Sequence, residues 1–236
     1  MKELKARLTQ VIQRTATVKS FRFALPEKIE FLPGQFLQLI FDPDNRQNKE
    51  LNKYLSLSCS PTRDYIEVTK RLSESVFSQR LESLKINDEV LVKIPLGDCV
   101  FKDEYKNIGF LIGGIGITPV ISILEYIHDK KLGTDTYLFY SNRTEEDIAF
   151  RKELDDWQAA DKNIKVFYTV TQCEPVSKSC IFGFIDQKLL QEKACDLNER
   201  IVYIFGPPGM VDTMCNLSLA LSCKKENIKT EKFVGY

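Results

Sequence analysis

Over the first hundred residues the apolar positions come in short runs, with turn signals close between them. Val18, Phe21 and Phe23 form one run, and Pro33-Gly34-Gln35 is a turn that opens a strand over 36–41. A polar loop, 42–52, precedes further strands at 53–60, 65–69 and 90–94. Short strands with frequent turns predict an antiparallel barrel or sandwich. One stretch breaks the pattern. Phe77, Leu81 and Leu84 recur at i, i+4 and i+7, which predicts a helix over 75–84 with Ser75 as its N-cap.

Near residue 104 the period changes. Strands at 108–112, 137–140, 164–170, 201–205 and 230–234 alternate with helices near 119–131, 145–158, 186–193 and 210–224. Phe150, Leu154 and Trp157 mark the inner face of the second of these helices. Such alternation predicts a parallel sheet covered on both faces. The change of rhythm over 101–106 divides the chain into domains at 1–103 and 104–236.

Three turns fall at the carboxyl ends of the parallel strands, where ligands of such sheets sit. The first is Gly113-Gly114-Ile115-Gly116-Ile117-Thr118-Pro119. Glycines allow a sharp turn and a close backbone approach, and Pro119 suits the first helical position. A helix that begins there directs free N–H groups and a positive dipole end outward, which favours phosphate. Ser141-Asn142-Arg143 follows the second strand and Gly206-Pro207-Pro208 the fourth. Three ligand-competent turns on one edge predict a binding crevice.

Composition narrows the class. The chain has 236 residues, 43% hydrophobic and 28% charged, as in an ordinary globular protein. Lys+Arg and Asp+Glu both number 33, so net charge offers nothing for nucleic-acid binding. The amino terminus lacks the apolar core of a secretion signal, and the longest apolar stretch, 110–124, is too short for a membrane span. Seven cysteines, none at C-x-x-C spacing, read as reduced thiols in a cytoplasmic protein with no metal site or iron–sulfur cluster of its own. His128, the only histidine, reads as a solvated last-turn helix residue.

In order along the chain, the motifs resemble those of the ferredoxin–NADP reductase superfamily. Pro33-Gly34-Gln35-Phe36 resembles its Pro-Gly-Gln-aromatic turn. Lys53-Tyr54-Leu55-Ser56-Leu57-Ser58-Cys59 lies where the flavin motif Arg-x-Tyr-Ser-x-x-Ser is expected. Ser75-Val76-Phe77-Ser78 resembles the Gly-x-x-Ser/Thr helix start that holds flavin phosphates. The stretch 113–119 is similar to the nicotinamide-side glycine motif, and Phe205-Gly206-Pro207-Pro208-Gly209-Met210 to Cys-Gly-Pro-Pro-x-Met. The ending Glu231-Lys232-Phe233-Val234-Gly235-Tyr236 is similar to that of many bacterial members.

The resemblance implies an N-terminal FAD-binding antiparallel β-barrel followed by an NAD(P)-binding α/β domain, with FAD in preference to FMN. It implies hydride transfer from NADPH or NADH to flavin N5, assisted by Ser56. Lys53 would supply charge to a phosphate without the bidentate fork of arginine. Leu55 would face the isoalloxazine, with Tyr54 on the opposite strand face. Val68, Thr69 and Lys70 would lie along the flavin, with Lys70 or Arg71 compensating for the missing arginine. Val76, Phe77 and Ser78 would meet the pyrophosphate. Gly113, Gly114, Gly116, Thr118 and Pro119 would serve the nucleotide, with Thr118 between the two cofactors. Ser141, Asn142 and Arg143 would read the adenine ribose; Arg143 favours NADPH by pairing with a 2′-phosphate, and stacking on adenine would also admit NADH. Gly206, Pro207, Pro208 and Met210 would line the nicotinamide pocket. Tyr236 would cover the flavin face, and Glu231 reads as structural.

The leading reading is therefore an NAD(P)H-dependent flavoprotein reductase that delivers electrons to a separate acceptor: a ferredoxin, a flavodoxin, an oxygenase component or a small oxidant. An electron-transfer subunit of a larger complex is the second reading. A flavin-free regulatory or binding module is the third, motivated by Lys53, Leu55 and Cys59. The sequence leaves the oligomeric state open, a monomer included, and none of the three requires a membrane span or nucleic acid.

Overall fold

The computed structural model describes residues 1–233, so the position read as a flavin cover, Tyr236, lies outside the described residues. The described chain forms two compact units. One comprises Met1–Phe101 with Thr118–Asp129; the other comprises Lys102–Ile117 and the described residues from Lys130 onward.

The first unit contains β1 (Lys2–Gln13), β2 (Val18–Ala24), β3 (Phe36–Ile40), β4 (Asn52–Ser56), β5 (Ile66–Arg71), α1 (Val76–Glu82) and β6 (Glu89–Leu96). The strands pair antiparallel in the order β4-β3-β6-β1-β2-β5. An antiparallel bridge between Leu57 and Val68 joins the two edges, so the sheet closes towards a barrel. Closure removes the edge strands that an open sheet would expose. Ala6, Leu8, Phe21, Phe23, Leu39, Val68 and Phe77 fill the interior.

Strand β1 is a departure from the sequence pattern. Its charged residues hide a short apolar set, of which only Ala6 and Leu8 are buried. Helix α1 is capped as expected: Ser75 Oγ accepts the Ser78 N–H, and Phe77 and Leu81 face the core. The end of the first unit's helical segment is tied to the loop after β4. Arg63 pairs with Glu125 at 2.6 Å and Asp129 at 3.3 Å, and Glu125 accepts the Ser60 N–H.

The remaining elements are β7 (Asn107–Gly113), a 3₁₀ turn (Gly114–Gly116), α2 (Ile117–Lys130), β8 (Asp135–Asn142), α3 (Arg151–Ala160), β9 (Ile164–Val170), β10 (Cys180–Phe182), α4 (Gln187–Lys193), β11 (Ile201–Gly206), α5 (Pro208–Ala220) and β12 (Ile228–Lys232). The second unit's sheet has the order β10-β9-β8-β7-β11-β12 and is parallel throughout. Leu111, Phe139, Val202 and Ile204 pack with Leu190, Val211 and Met214 on one of its faces.

Two elements differ from expectation. The helix expected over 145–158 is split into a 3₁₀ turn, Glu145–Asp147, and α3 from Arg151. Between them Phe150 adopts a left-handed φ of 61°, so it is a buried residue ahead of the helix and not part of its inner stripe. The short edge strand β10 had no clear apolar alternation to announce it.

The amino-terminal strand edge is fastened by Arg200, of which 1% is exposed. Its guanidinium binds Asp135 and Asp196 carboxylates at 2.6 Å each and the Asp135 carbonyl at 3.0 Å, and lies 3.9 Å from the Tyr137 ring centre. Among the described residues no helix is long and apolar enough to cross a membrane, and no cluster of His, Cys, Asp or Glu is suited to a metal. Among the described residues no disulfide joins two cysteines.

Candidate functional site

The strand order reverses at β7, with β8 and β9 to one side and β11 and β12 to the other. That switch point places a crevice outside the carboxyl ends of β7 and β11. The turns there touch. A β-carbon added at Gly113 would stand 2.3 Å from Met210 Sδ, and one at Gly116 would stand 2.5 Å from the Phe205 carbonyl oxygen. At Gly116, where the opposing atoms are backbone, only glycine permits this approach. Helix α5 starts at Pro208, so its first N–H groups have no intrahelical partners.

Beside the crevice, Ser141 is in register with Gly113 and Thr169. The Asn142 side chain is buried, and among the described residues neither its amide nitrogen nor its oxygen finds a partner; Thr169 Oγ1 is equally orphaned there. Buried polar atoms without partners are costly and mark a place where a ligand can complete them. The Asn142 and Arg143 carbonyls accept the Thr171 and Gln172 N–H groups, which fixes the loop, while the Arg143 side chain is exposed and makes no ion pair among the described residues. In the following turn the Arg151 guanidinium and the Ser177 N–H hold the Glu145 carboxyl down near about 2.

Glu231 on β12 lies in register with Phe205. It is half-buried, and burial pushes its carboxyl up to about 7. The sequence reading of Glu231 as structural did not announce this burial.

On the barrel, Lys53 and Leu55 share one face of β4. Leu55 packs partly against the barrel core, and Tyr54 is exposed on the other face, edge-on to Phe36 at 5.7 Å. Ser56 ends the strand, buried. Burial, and then the positive charge of Lys53, lowers the Lys70 ammonium pKa. Two lysines that repel one another, Lys53 without an ion pair among the described residues, suit a phosphate-bearing ligand. At α1 the Ser78 N–H is taken by Ser75 Oγ at 3.3 Å. The Val76 and Phe77 N–H groups precede the first intrahelical bond, from Gln79 to Ser75. Val76 is exposed, whereas Phe77 belongs to the core. Cys59 is buried with its thiol pKa far above the ordinary value, first through burial, so it is inert packing.

One cluster escaped the sequence reading. Strand alternation puts Glu67 and Thr69 on the polar side of β5, yet Glu67 is 1% exposed, enclosed by Arg14 and Arg22. No local pattern announces two arginines arriving from other parts of the chain.

The antiparallel barrel and the parallel sheet with its glycine-lined switch point are each matched by a model of an oxidoreductase cofactor-binding domain. The family model for the oxidoreductase FAD-binding domain matches residues 5–101, and that for the oxidoreductase NAD-binding domain matches 110–216. NADH-cytochrome b5 reductase 1 of Aspergillus terreus is 28% identical over 220 residues, covering 88% of this chain and 74% of that protein. A nitrate reductase [NAD(P)H] of Betula pendula is 30% identical over an alignment of 228 positions that covers 86% of this chain and 25% of that larger protein. In fold, the chain is similar to the cytochrome b5 reductase domain of Ulva prolifera nitrate reductase, with TM-score 0.82, 23% identity and coverage of 98% and 97%. It is also similar to a ferredoxin NADP+ reductase from Neisseria gonorrhoeae, with TM-score 0.81, 20% identity and coverage of 98% and 99%.

The chain belongs to the ferredoxin–NADP reductase superfamily. It is an NAD(P)H-dependent flavoprotein reductase with FAD as its flavin. The orphaned Asn142 and Thr169 groups, the glycine cradle and the lysine pair all fit these cofactors.

Proposed function

We propose that this protein takes hydride from NAD(P)H and delivers electrons to a cytochrome b5-type haem protein. The acceptor class rests on the names of its curated relatives, cytochrome b5 reductases and nitrate reductases. The observation that carries the donor half is the switch-point crevice, where Gly113 and Gly116 approach the β11 turn and leave Asn142 and Thr169 without internal partners.

In this reading residues 1–103 bind FAD and residues 104–236 bind the nucleotide. FAD, when bound, supplies the chemistry that converts a two-electron donor into a source of single electrons. Lys53 and Lys70 neutralise its phosphates, and the Val76 and Phe77 N–H groups add dipoles of the same sign. Ser56, held in the rigid end of β4, donates a hydrogen bond towards flavin N5. Leu55 takes the place of the usual stacking aromatic and excludes water from the ring face. Asn142, Ser141 and Arg143 hold the adenosine half, and Gly206 to Met210 orient the nicotinamide. Thr118 serves at the start of α2. No side chain needs to act as a general base, since hydride carries its own electron pair.

The test is direct. The purified protein, reconstituted with FAD, is expected to be yellow, to bleach on anaerobic addition of NADH or NADPH, and to reduce cytochrome b5 faster than ferredoxin. A protein that stays colourless after incubation with FAD would refute the flavin assignment. Fast reduction of ferredoxin alone would replace the acceptor.

A further inference from the structure

The chain leaving β4 ends in a tight turn made of Ser60, Pro61, Thr62 and Arg63. The Arg63 N–H donates to the Ser60 carbonyl at 3.1 Å, and Ser60 Oγ accepts the Thr62 N–H at 3.2 Å. Serine at the first position and proline at the second are residues that such a turn favours. Within the first unit this turn meets α2. The Ser60 N–H donates to Glu125 Oε2 at 2.6 Å, and Arg63 Nε and Nη2 donate to Glu125 Oε1 at 2.8 and 2.6 Å. Arg63 Nη2 also reaches Asp129 Oδ1 at 3.3 Å, and the Thr62 hydroxyl donates to Asp129 Oδ2.

Two carboxylates of one helix therefore hold one turn by its backbone, a hydroxyl and a guanidinium. Charge-assisted hydrogen bonds of this length are the strong ones. Ser60 is fully buried, and the Glu125 and Asp129 side chains are 13% and 20% exposed, so solvent screens the group less than an ordinary surface pair. Glu125 also acts on the nearby Arg22 charge.

Along α2, Thr118, Ser122, Glu125 and Asp129 recur at i, i+4, i+7 and i+11, which places them on one helix face. Thr118 and Ser122 are buried, so this polar stripe is withdrawn from water at its Thr118 end. Glu125 stands about two turns, roughly 10 Å, from Thr118 along the helix. On the barrel side, the chain from Ser56 to Ser60 is pinned in steps. The Leu57 N–H donates to the Gln35 carbonyl at 3.0 Å, the Ser58 N–H to the Glu67 carbonyl at 2.8 Å and the Ser60 N–H to Glu125. The clamp thus fastens the segment that carries Ser56 to the helix that carries Thr118.

We propose that Arg63, Glu125 and Asp129 are positioning residues that set the Ser56 segment against the Thr118 end of α2, and so control the rate of hydride transfer without holding either cofactor. This rests on the flavin and nucleotide sites of the proposed function, which direct Ser56 towards flavin N5 and use Thr118 at the start of α2. Transfer between two bound groups needs the reacting atoms about 3–3.5 Å apart, and a small misplacement is costly. Binding tolerates the same error better, because each cofactor is held at many points. A positioning clamp therefore acts on the reduction step and spares the binding of both cofactors. An ion pair that serves stability alone produces no such split.

The experiment is anaerobic stopped-flow reduction of FAD-loaded Arg63→Ala, Arg63→Lys and Asp129→Asn proteins by NADH or NADPH, whichever bleaches the parent, over a range of donor concentrations. Arg63→Ala is expected to slow flavin reduction at saturating donor by about tenfold, while FAD content and the half-saturating donor concentration stay within about twofold of the parent. Arg63→Lys keeps the charge and should hold the rate to within about threefold. Asp129→Asn keeps the Arg63–Glu125 contact and should give a smaller loss in the same direction, so it decides the matter if Arg63→Ala does not fold. Amide hydrogen exchange of the FAD-free proteins supplies a second reading: Arg63→Ala should exchange faster over both 56–63 and 117–125. A parental reduction rate in Arg63→Ala, or in Asp129→Asn where the first does not fold, would overturn the proposal even if the melting temperature falls. So would equal losses in Arg63→Ala and Arg63→Lys, a loss confined to the half-saturating concentration, or faster exchange in the turn alone. A parent protein that binds no FAD, or that neither donor bleaches, would instead overturn the proposed function.

Discussion

Gly116 faces the Phe205 carbonyl so closely that a β-carbon on it would lie 2.5 Å from the oxygen and 2.7 Å from the carbonyl carbon. Backbone atoms of a central strand cannot swing aside as a side chain can. Gly116→Ala is therefore expected to cost about 1–3 kcal/mol, as other overpacked sites do. Thermal unfolding should show it as a loss of roughly 2–12 °C for a chain of this size. The Michaelis constant for the nucleotide should rise as well, because the turn can relieve the clash only by leaving the β11 turn. An unchanged melting temperature would show that the loop moves freely.

Lys53 stands where a bidentate arginine is expected, with Lys70 repelling it. Lys53→Arg should tighten FAD retention, and Lys53→Ala should loosen it by about tenfold, the scale of one charge-assisted hydrogen bond. Equilibrium dialysis of FAD measures both. Equal affinities in all three proteins would remove Lys53 from the flavin site.

Arg143 is exposed at the end of β8, and its side chain has no carboxylate partner among the described residues. Arg143→Ala should raise the Michaelis constant for NADPH by about tenfold or more and that for NADH by only about two- or threefold, because only NADPH offers a 2′-phosphate to pair with. Steady-state kinetics with both donors reads the ratio. Equal effects would assign the guanidinium to adenine stacking.

Glu231 titrates high because burial disfavours its charged form. Folding raises this carboxyl from 4.5 to about 7, so the folded state holds the proton more tightly than the unfolded one. Its stabilising contribution is complete below pH 4.5 and is lost as pH rises through about 7. Glu231→Gln mimics the neutral form at every pH. The variant should match the parent protein near pH 4.5 and exceed it by about 3 kcal/mol at pH 8 in urea unfolding. A constant difference across that range would mean that the carboxyl titrates normally in the fold.

Much of the fold is legible along the chain because its signals are local. Phe77, Leu81 and the Ser75 cap announce α1 through a 3.6-residue period and one side-chain hydrogen bond. The glycine turn after β7 announces itself through residues that only a close approach requires. Strand β1 was obscured because its buried residues are few and short, and α3 began late because Phe150 entered a left-handed conformation that apolar spacing does not encode.

What the sequence by itself determined is the alternation of two rhythms, the order of the motifs and the position of the turns at the strand ends, all set by periodicity and by what glycine, proline and serine do locally. What only the tertiary structure decided is which polar residues would leave water. Glu67 and Arg200 carry full charges and are among the most buried residues of their units. Glu67 is buried because Arg14 and Arg22 reach it from positions 53 and 45 residues away, and Arg200 because Asp135 lies 65 residues away. A charge can leave water only where partners converge on it, and that convergence is a property of the folded chain.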